Sequence, residues 1–374
     1  MQTFKLFDKS SAYSPFYAML IVTRFQLLYF VLLMPMYLVQ PYMIWGILLM
    51  GVLSHLNILV LSKYFSTRFA QNGYEGFTEL LSEPLIRIFS FFGLGFIFIK
   101  MTVITLSYMD IVNQYIFPYL STNWLIVILM LTSLYIASQG MSKTIRFVVI
   151  VFFCTVWIPL MYVPFTFPPY ASIYDLFPLI PKEIPHQTWK GLLIIWSSLS
   201  GPEYLICFLP WFKPQQKMFK YLSIANAYTI VEYIGLFVAT LLFFGPNLLR
   251  TSHLPVINMI RYLQTVVFER IDVILISAHM FLFIYANALF LLCFYGGARI
   301  LMKRVLLPTR LTGFIWCSIF LILGITVINY WFWKPGRGIQ LNSWQYFQVW
   351  MQAISFFIVP SFLWMVSKIK GRSA

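Results

Sequence analysis

Residues 188–211 read TWKGLLIIWSSLSGPEYLICFLPW. The stretch is apolar on both sides, as a membrane-spanning helix is, yet its middle holds Ser200-Gly201-Pro202-Glu203. Glycine weakens a helix, proline removes a donor and clashes with the preceding turn, and a carboxylate in hydrocarbon is costly without a partner. Such an interruption persists in a membrane only where the freed backbone is buried in protein or lines a cavity. The spacing predicts a broken span whose second half begins near Pro202, a residue suited to a first helical turn. Its free N–H groups and positive dipole end at membrane depth suit a carboxylate, and Glu203 suits an ammonium group, so the pair matches a zwitterionic amino acid. The plainer alternative is a packed proline kink with Glu203 in a salt bridge.

The rest of the chain has the same character. Of 374 residues, 60% are hydrophobic, 20% aromatic and 10% charged, and the mean hydropathy is +0.81. No water-soluble globule hides that much apolar surface, so the solvent is lipid. Apolar runs of about 17 to 25 residues suit spanning helices rather than barrel strands. The formal charge of +15 is scattered between these runs and forms no basic stripe, which argues against nucleic acid.

Spans are expected near 15–36, 42–62, 88–112, 122–139, 147–167, 188–209, 219–245, 272–296, 311–331 and 344–367, all within one transmembrane domain, 1–374. The first is expected to be retained: Lys5, Asp8 and Lys9 precede an apolar stretch that contains Arg24 and no small-residue cleavage site. With ten spans both termini share a side, and about two thirds of the 26 Lys and Arg residues fall on it, which places the termini in the cytoplasm. Two longer connections, 63–87 with Glu75, Glu79 and Glu83 opposite Phe77, Leu80 and Leu81, and 246–271, read as interfacial helices. Trp124, Trp189, Trp211, Trp331, Trp333 and Trp344 lie near span ends and read as headgroup-level anchors.

Enzyme motifs are absent: there is no P-loop, HExxH or CxxC pair, and the four histidines lie far apart in sequence. No catalysis, cofactor or metal is expected. Cys154, Cys207, Cys293 and Cys317 sit in apolar segments without paired spacing and read as packing residues. The informative residues are ionisable groups within spans: Arg24, Lys100, Asp110, Glu203 and Glu232. Two bases can neutralise two of these acids, with the pairing left open, and Asp110 reads as a structural pair near a span end. Thr102, Thr105, Tyr108, Ser277 and His279 read as helix–helix hydrogen-bonding residues. If the halves are inverted repeats, a second interruption is expected in span 1 near Arg24-Phe25-Gln26.

These features together resemble a known family. Ser14-Pro15 opens span 1 and Met34-Pro35 closes it; Gly201-Pro202-Glu203 is followed by Pro210; and Phe268-Glu269-Arg270-Ile271-Asp272 enters span 8. The chain resembles the B subunit of bacterial spore germinant receptors over nearly its full length. The resemblance implies an all-α, LeuT-like fold of the amino acid–polyamine–organocation transporter superfamily, with two inverted five-helix repeats and a ligand site between spans 1, 3, 6 and 8. It also implies an A subunit, itself a membrane protein, and a C subunit that is a lipoprotein, in the inner membrane of endospores. The expected ligand is a small nutrient, an amino acid above all. The site is expected to comprise Ser200, Gly201, Pro202 and Glu203, with Gln26 and Tyr108 on the opposite wall and Arg24, Lys100 and Glu232 as intramembrane charges. A proton-coupled amino acid transporter is the rival reading on the same fold.

Overall fold

The computed structural model describes residues 6–8, 12–181, 188–213, 217–252, 254–263, 270–333 and 341–372, without the side chains of 29–36 and 371–372. Lys5, Lys9, Phe268-Glu269 and the side chains of Met34-Pro35 lie outside the described residues. Helices occupy the expected span positions in order: α1 (Pro15–Tyr37), α2 (Met43–Phe65), α3 (Glu83–Tyr115), α4 (Thr122–Ser138), α5 (Met141–Thr155), α6 (Thr188–Ser198), α7 (Met218–Leu249), α8 (Ile271–Leu301), α9 (Leu311–Trp331) and α10 (Ser343–Arg372). By length and hydropathy seven are able to cross a membrane: α2, α3, α5 with its 3-10 continuation, α7, α8, α9 and α10. The described part of α1 and α4 are shorter apolar helices, and α6 is short because it stops at the break. The chain is an all-α, multi-pass membrane protein.

Local chemistry sets the boundaries. α3 runs beyond its expected ends because Pro84 suits its first turn and Glu83 pairs with Arg87 one turn on. α7 kinks at Gly245, whose φ of +66° and following Pro246 end the regular helix there.

α8 is the hub. Of its most apolar window 72% is buried, against 28–50% for the other six spanning helices, so protein surrounds it while they present a face to lipid. It packs most extensively on α3, then on α5 and α4, while α1 packs on α7, and α2 on α7 and α10. Outward residues such as Val52, Leu56, Phe153, Trp316 and Phe320 are exposed and apolar, a surface stable only against acyl chains.

Both longer connections are helical, with Arg68–Gln71 and Tyr74–Leu80 in the first and Pro255–Arg261 in the second. In the first, Glu75 and Glu79 are exposed and Leu80 is buried. Gly76 is required by close approach, since a Cβ there would lie 1.9 Å from the Phe69 carbonyl oxygen. Ile158–Thr166 continues α5 as a 3-10 helix, and the long connection after it carries the 3-10 turn Ile173–Leu176. Trp211 and Trp333 are not exposed anchors: both are buried, and their indoles donate to the Asp8 carbonyl (3.1 Å) and to Asp110 Oδ2 (2.8 Å). A buried indole N–H needs an acceptor, and each found one on a neighbouring segment. Trp124, Trp189 and Trp331 are exposed.

Candidate functional site

α6 leaves the helix after Ser198, and the chain resumes as two 3-10 turns, Pro202–Cys207 and Leu209–Trp211. The break lies where the sequence placed it, but its second half is not an α-helix. Pro202 and Pro210 lack two of the donors that an α ladder needs, and the short run settles into the tighter turn.

Three backbone groups freed by the break are bonded by side chains. Gln26 Nε2 donates to the Leu199 carbonyl (2.7 Å), while the Tyr233 hydroxyl reaches the carbonyls of Ser198 (3.1 Å) and Gln26 (2.7 Å). The Gly201 N–H donates to Glu203 Oε2 (2.8 Å), and the Ser200 hydroxyl donates to Oε1. Glu203 therefore caps its own segment. The amide assigned from sequence to a ligand carboxylate is occupied by this side chain, because a carboxylate two residues on reaches it without strain. A Cβ on Gly201 would lie 3.3 Å from Phe25 Cβ and 3.5 Å from Gln26 Cγ, so α1 runs directly against the break.

Span 1 has no interruption of this kind. α1 is helical through Arg24-Phe25-Gln26, which corrects the expectation for span 1. Neither glycine nor proline occurs there, and the polar side chains find partners without unwinding the backbone. Gln26 bridges the Leu199 carbonyl and the Thr229 hydroxyl, which donates to its Oε1 (2.8 Å). Arg24 donates to Thr155 Oγ1 (2.8 Å) and pairs with Glu232 Oε1 (3.2 Å), with the Phe152 and Tyr228 rings over its guanidinium.

Lys100 of α3 is the charge beside the break. Its ammonium lies 4.2 Å from the centre of the Tyr204 ring, 5.4 Å from Phe290 and 5.9 Å from Phe25, within electrostatic reach of Glu203. Phe25 stacks on Phe290 (5.2 Å), and Tyr204 meets Phe290 edge-on (5.3 Å). Three ring faces thus surround a cation at the meeting of α1, α3, the break and α8. This arrangement stabilises positive charge where water is excluded. With Glu203 beside it, one basic and one acidic side chain share this buried site.

Tyr108 is committed to contacts with α8. It donates to the Ile276 carbonyl (2.6 Å) and stacks on Phe283 (4.1 Å), bracing α3 to α8. Asn287 of α8 repeats the brace through Thr105 (3.0 Å). Thr102 and His279 bond carbonyls of their own helices. Cys207 and Cys293 share a thiol contact between the break and α8 that sequence spacing did not show. The sequence also missed Phe25, Tyr204, Phe290 and Thr155. The only available signal was the adjacency of Phe25 to Arg24 and of Tyr204 to Glu203.

At one end of the bundle the start of α1 is paired with the exit of the break. Tyr13 N–H donates to the Trp211 carbonyl (2.7 Å), and Lys213 N–H returns a bond to the Tyr13 carbonyl (3.0 Å). Arg146 then donates to the Tyr13 hydroxyl (3.0 Å), which itself donates to the Ser142 carbonyl (2.8 Å). The entry to α1, the exit of the break and the start of α5 are thus joined by hydrogen bonds.

Residues 14–332 match the model of a family described as spore germination protein. The chain is also 30% identical over 212 residues, 55% of its length, to the spore germination protein GerQB of Bacillus cereus, and this match spans 57% of that relative. The break, the charges beside it and the brace between α3 and α8 all lie inside the matched span, and the chain belongs to the spore germination protein family.

Proposed function

We propose that this chain is the nutrient-sensing membrane subunit of a spore germinant receptor, acting without catalysis. A small germinant, an amino acid above all, binds between α1, α3, the α6 break and α8, and the bound state biases a change passed to a membrane A subunit and a lipoprotein C subunit. The observation that carries this reading is Lys100 held by Tyr204, Phe290 and Phe25 beside the self-capped Glu203, in a chain of the germination family. A zwitterion entering there exchanges charge with both groups: its carboxylate draws the ammonium of Lys100, and its amine competes for Glu203 with Ser200 and Gly201. Releasing that cap frees the broken segment, which the Tyr13 pairing links to the inner face.

The pairing of helices supports the inverted repeat. α1 packs on α6, α2 on α7, α3 on α8 and α4 on α9, the sets expected to correspond between two five-helix halves. We place both termini in the cytoplasm and the chain in the inner membrane of the endospore. The test is germination of spores carrying Lys100→Met or Glu203→Gln, scored against amino acids, sugars and nucleosides. Selective loss of one nutrient class, with the protein still present in the membrane, is the expected result. An unchanged response to every nutrient with both variants sinks the site.

Burial of Lys100, Glu203 and Glu232 within spans also serves proton-coupled transport of an amino acid. Uptake of labelled amino acid into vesicles, dependent on a pH gradient and abolished by Glu203→Gln, would favour that reading.

A further inference from the structure

A cavity of 520 Å³ opens between the end of α2, the exit of the α6 break and the start of α7, away from the site above. Its described lining includes Lys63, Lys213 and Lys217 and no acidic residue. Lys63 lies in the last turn of α2, and Lys217 directly precedes the first turn of α7. The two helices pack closely and run in opposite directions, so these charges stand at one level, where apolar helix meets polar connection. The first amides of α7 point to the same end without a side-chain cap. Three cations and a helix N-terminus with no carboxylate opposite them call for an anion.

The apolar surface leading to the cavity identifies that anion. On α2 the exposed Val52 and Leu56, the half-buried Leu59 and then Lys63 recur at spacings of four, three and four, forming one stripe along a lipid-facing face. Met218 and Phe219 complete the apolar wall beside the lysines. A soluble anion needs the charges but not the stripe, whereas a phospholipid needs both. We propose that this cavity binds the phosphate headgroup of an anionic phospholipid, with an acyl chain lying along Val52, Leu56 and Leu59.

The full-length chain in neutral detergent, titrated with short-chain phosphatidylglycerol or phosphatidylcholine and read by native mass spectrometry, tests this. Phosphatidylglycerol is expected to bind at least about fivefold more tightly than phosphatidylcholine to the unaltered chain. The combined variant Lys63→Gln, Lys213→Gln, Lys217→Gln should lose the preference, while Lys143→Gln, Lys303→Gln, Arg304→Gln, which removes equal charge elsewhere, should keep it. Leu56→Gln should weaken both lipids alike. Equal binding of the two lipids by the unaltered chain overturns the proposal, as does a preference that survives the first triple variant or disappears equally in the second. Competition by inorganic phosphate as effective as that by phosphatidylglycerol would make this a plain anion site. Loss of co-purifying partner subunits from the first triple variant, with no lipid preference in the unaltered chain, would make it a subunit contact. Either outcome also overturns the lipid assignment.

Discussion

Replacing Glu232 with leucine leaves the guanidinium of Arg24 in a site with no solvent exposure. Its remaining partners include the Thr155 hydroxyl at 2.8 Å, the Tyr228 hydroxyl, and the faces of Phe152 and Tyr228 at 5.2 and 5.9 Å. Breaking a buried pair from one side costs about 3–5 kcal/mol, because the survivor is uncompensated. The rings recover about 1 kcal/mol of this for a desolvated cation, so Glu232→Leu is expected to destabilise by about 2–4 kcal/mol. The reverse change is milder. In Arg24→Met the stranded group is a carboxyl, which escapes by taking a proton, whereas a guanidinium does not release one. The double variant Arg24→Met, Glu232→Leu removes both charges and fills the volume with apolar atoms. Its stability should return to within about 1 kcal/mol of the parent. Thermal inactivation in nanodiscs, followed by the monodisperse fraction on size exclusion, ranks the three. The order double variant, then Arg24→Met, then Glu232→Leu supports the reasoning. Additive losses, or a Glu232→Leu as stable as the parent, would refute the view that the pair is dry and mutually dependent.

Gly201→Ala pushes a Cβ to 3.3 Å from Phe25 Cβ, and since α1 is fixed by Gln26 and Arg24, the break must shift at a cost of about 1–3 kcal/mol. Germination dose-response curves should move to higher nutrient concentration while protein level is maintained. Gly76→Ala meets a backbone carbonyl at 1.9 Å rather than a flexible side chain, so the Arg68–Gln71 and Tyr74–Leu80 pair must come apart. Limited proteolysis of the protein in detergent should then cut within 66–82, where the parent resists. Tyr108→Phe keeps the stack on Phe283 and deletes one hydrogen bond to Ile276, with an expected loss of about 1 kcal/mol in stability and no change in nutrient class.

Much of this molecule was readable in one dimension because the bilayer imposes strong rules. Apolar runs of spanning length had to be helices, and Gly201-Pro202 had to interrupt one of them. The charges inside spans were legible in the sequence, but their partners were not. Arg24 and Glu232 are separated by 208 positions and meet only because α1 packs on α7. Tyr108 and Gln26 were expected on a ligand wall, yet both serve as braces. A polar side chain on a buried helix face satisfies whichever carbonyl or hydroxyl the neighbouring helix offers, and no sequence spacing encodes that choice. The missing break in α1 has the same origin: a partnered polar side chain does not unwind a helix as proline does.

The sequence by itself determined the solvent, the order and approximate place of the helices, the place of the break in span 6 and which charges lie within spans, since each follows from composition and local backbone chemistry. Only the tertiary structure decided that Glu203 caps its own segment, that Lys100 sits among Tyr204, Phe290 and Phe25, and that Arg24 belongs to Glu232. The last two are contacts between distant segments. Their geometry depends on how helices cross, and helix crossing is set by the packing of whole faces rather than by any run of neighbouring residues.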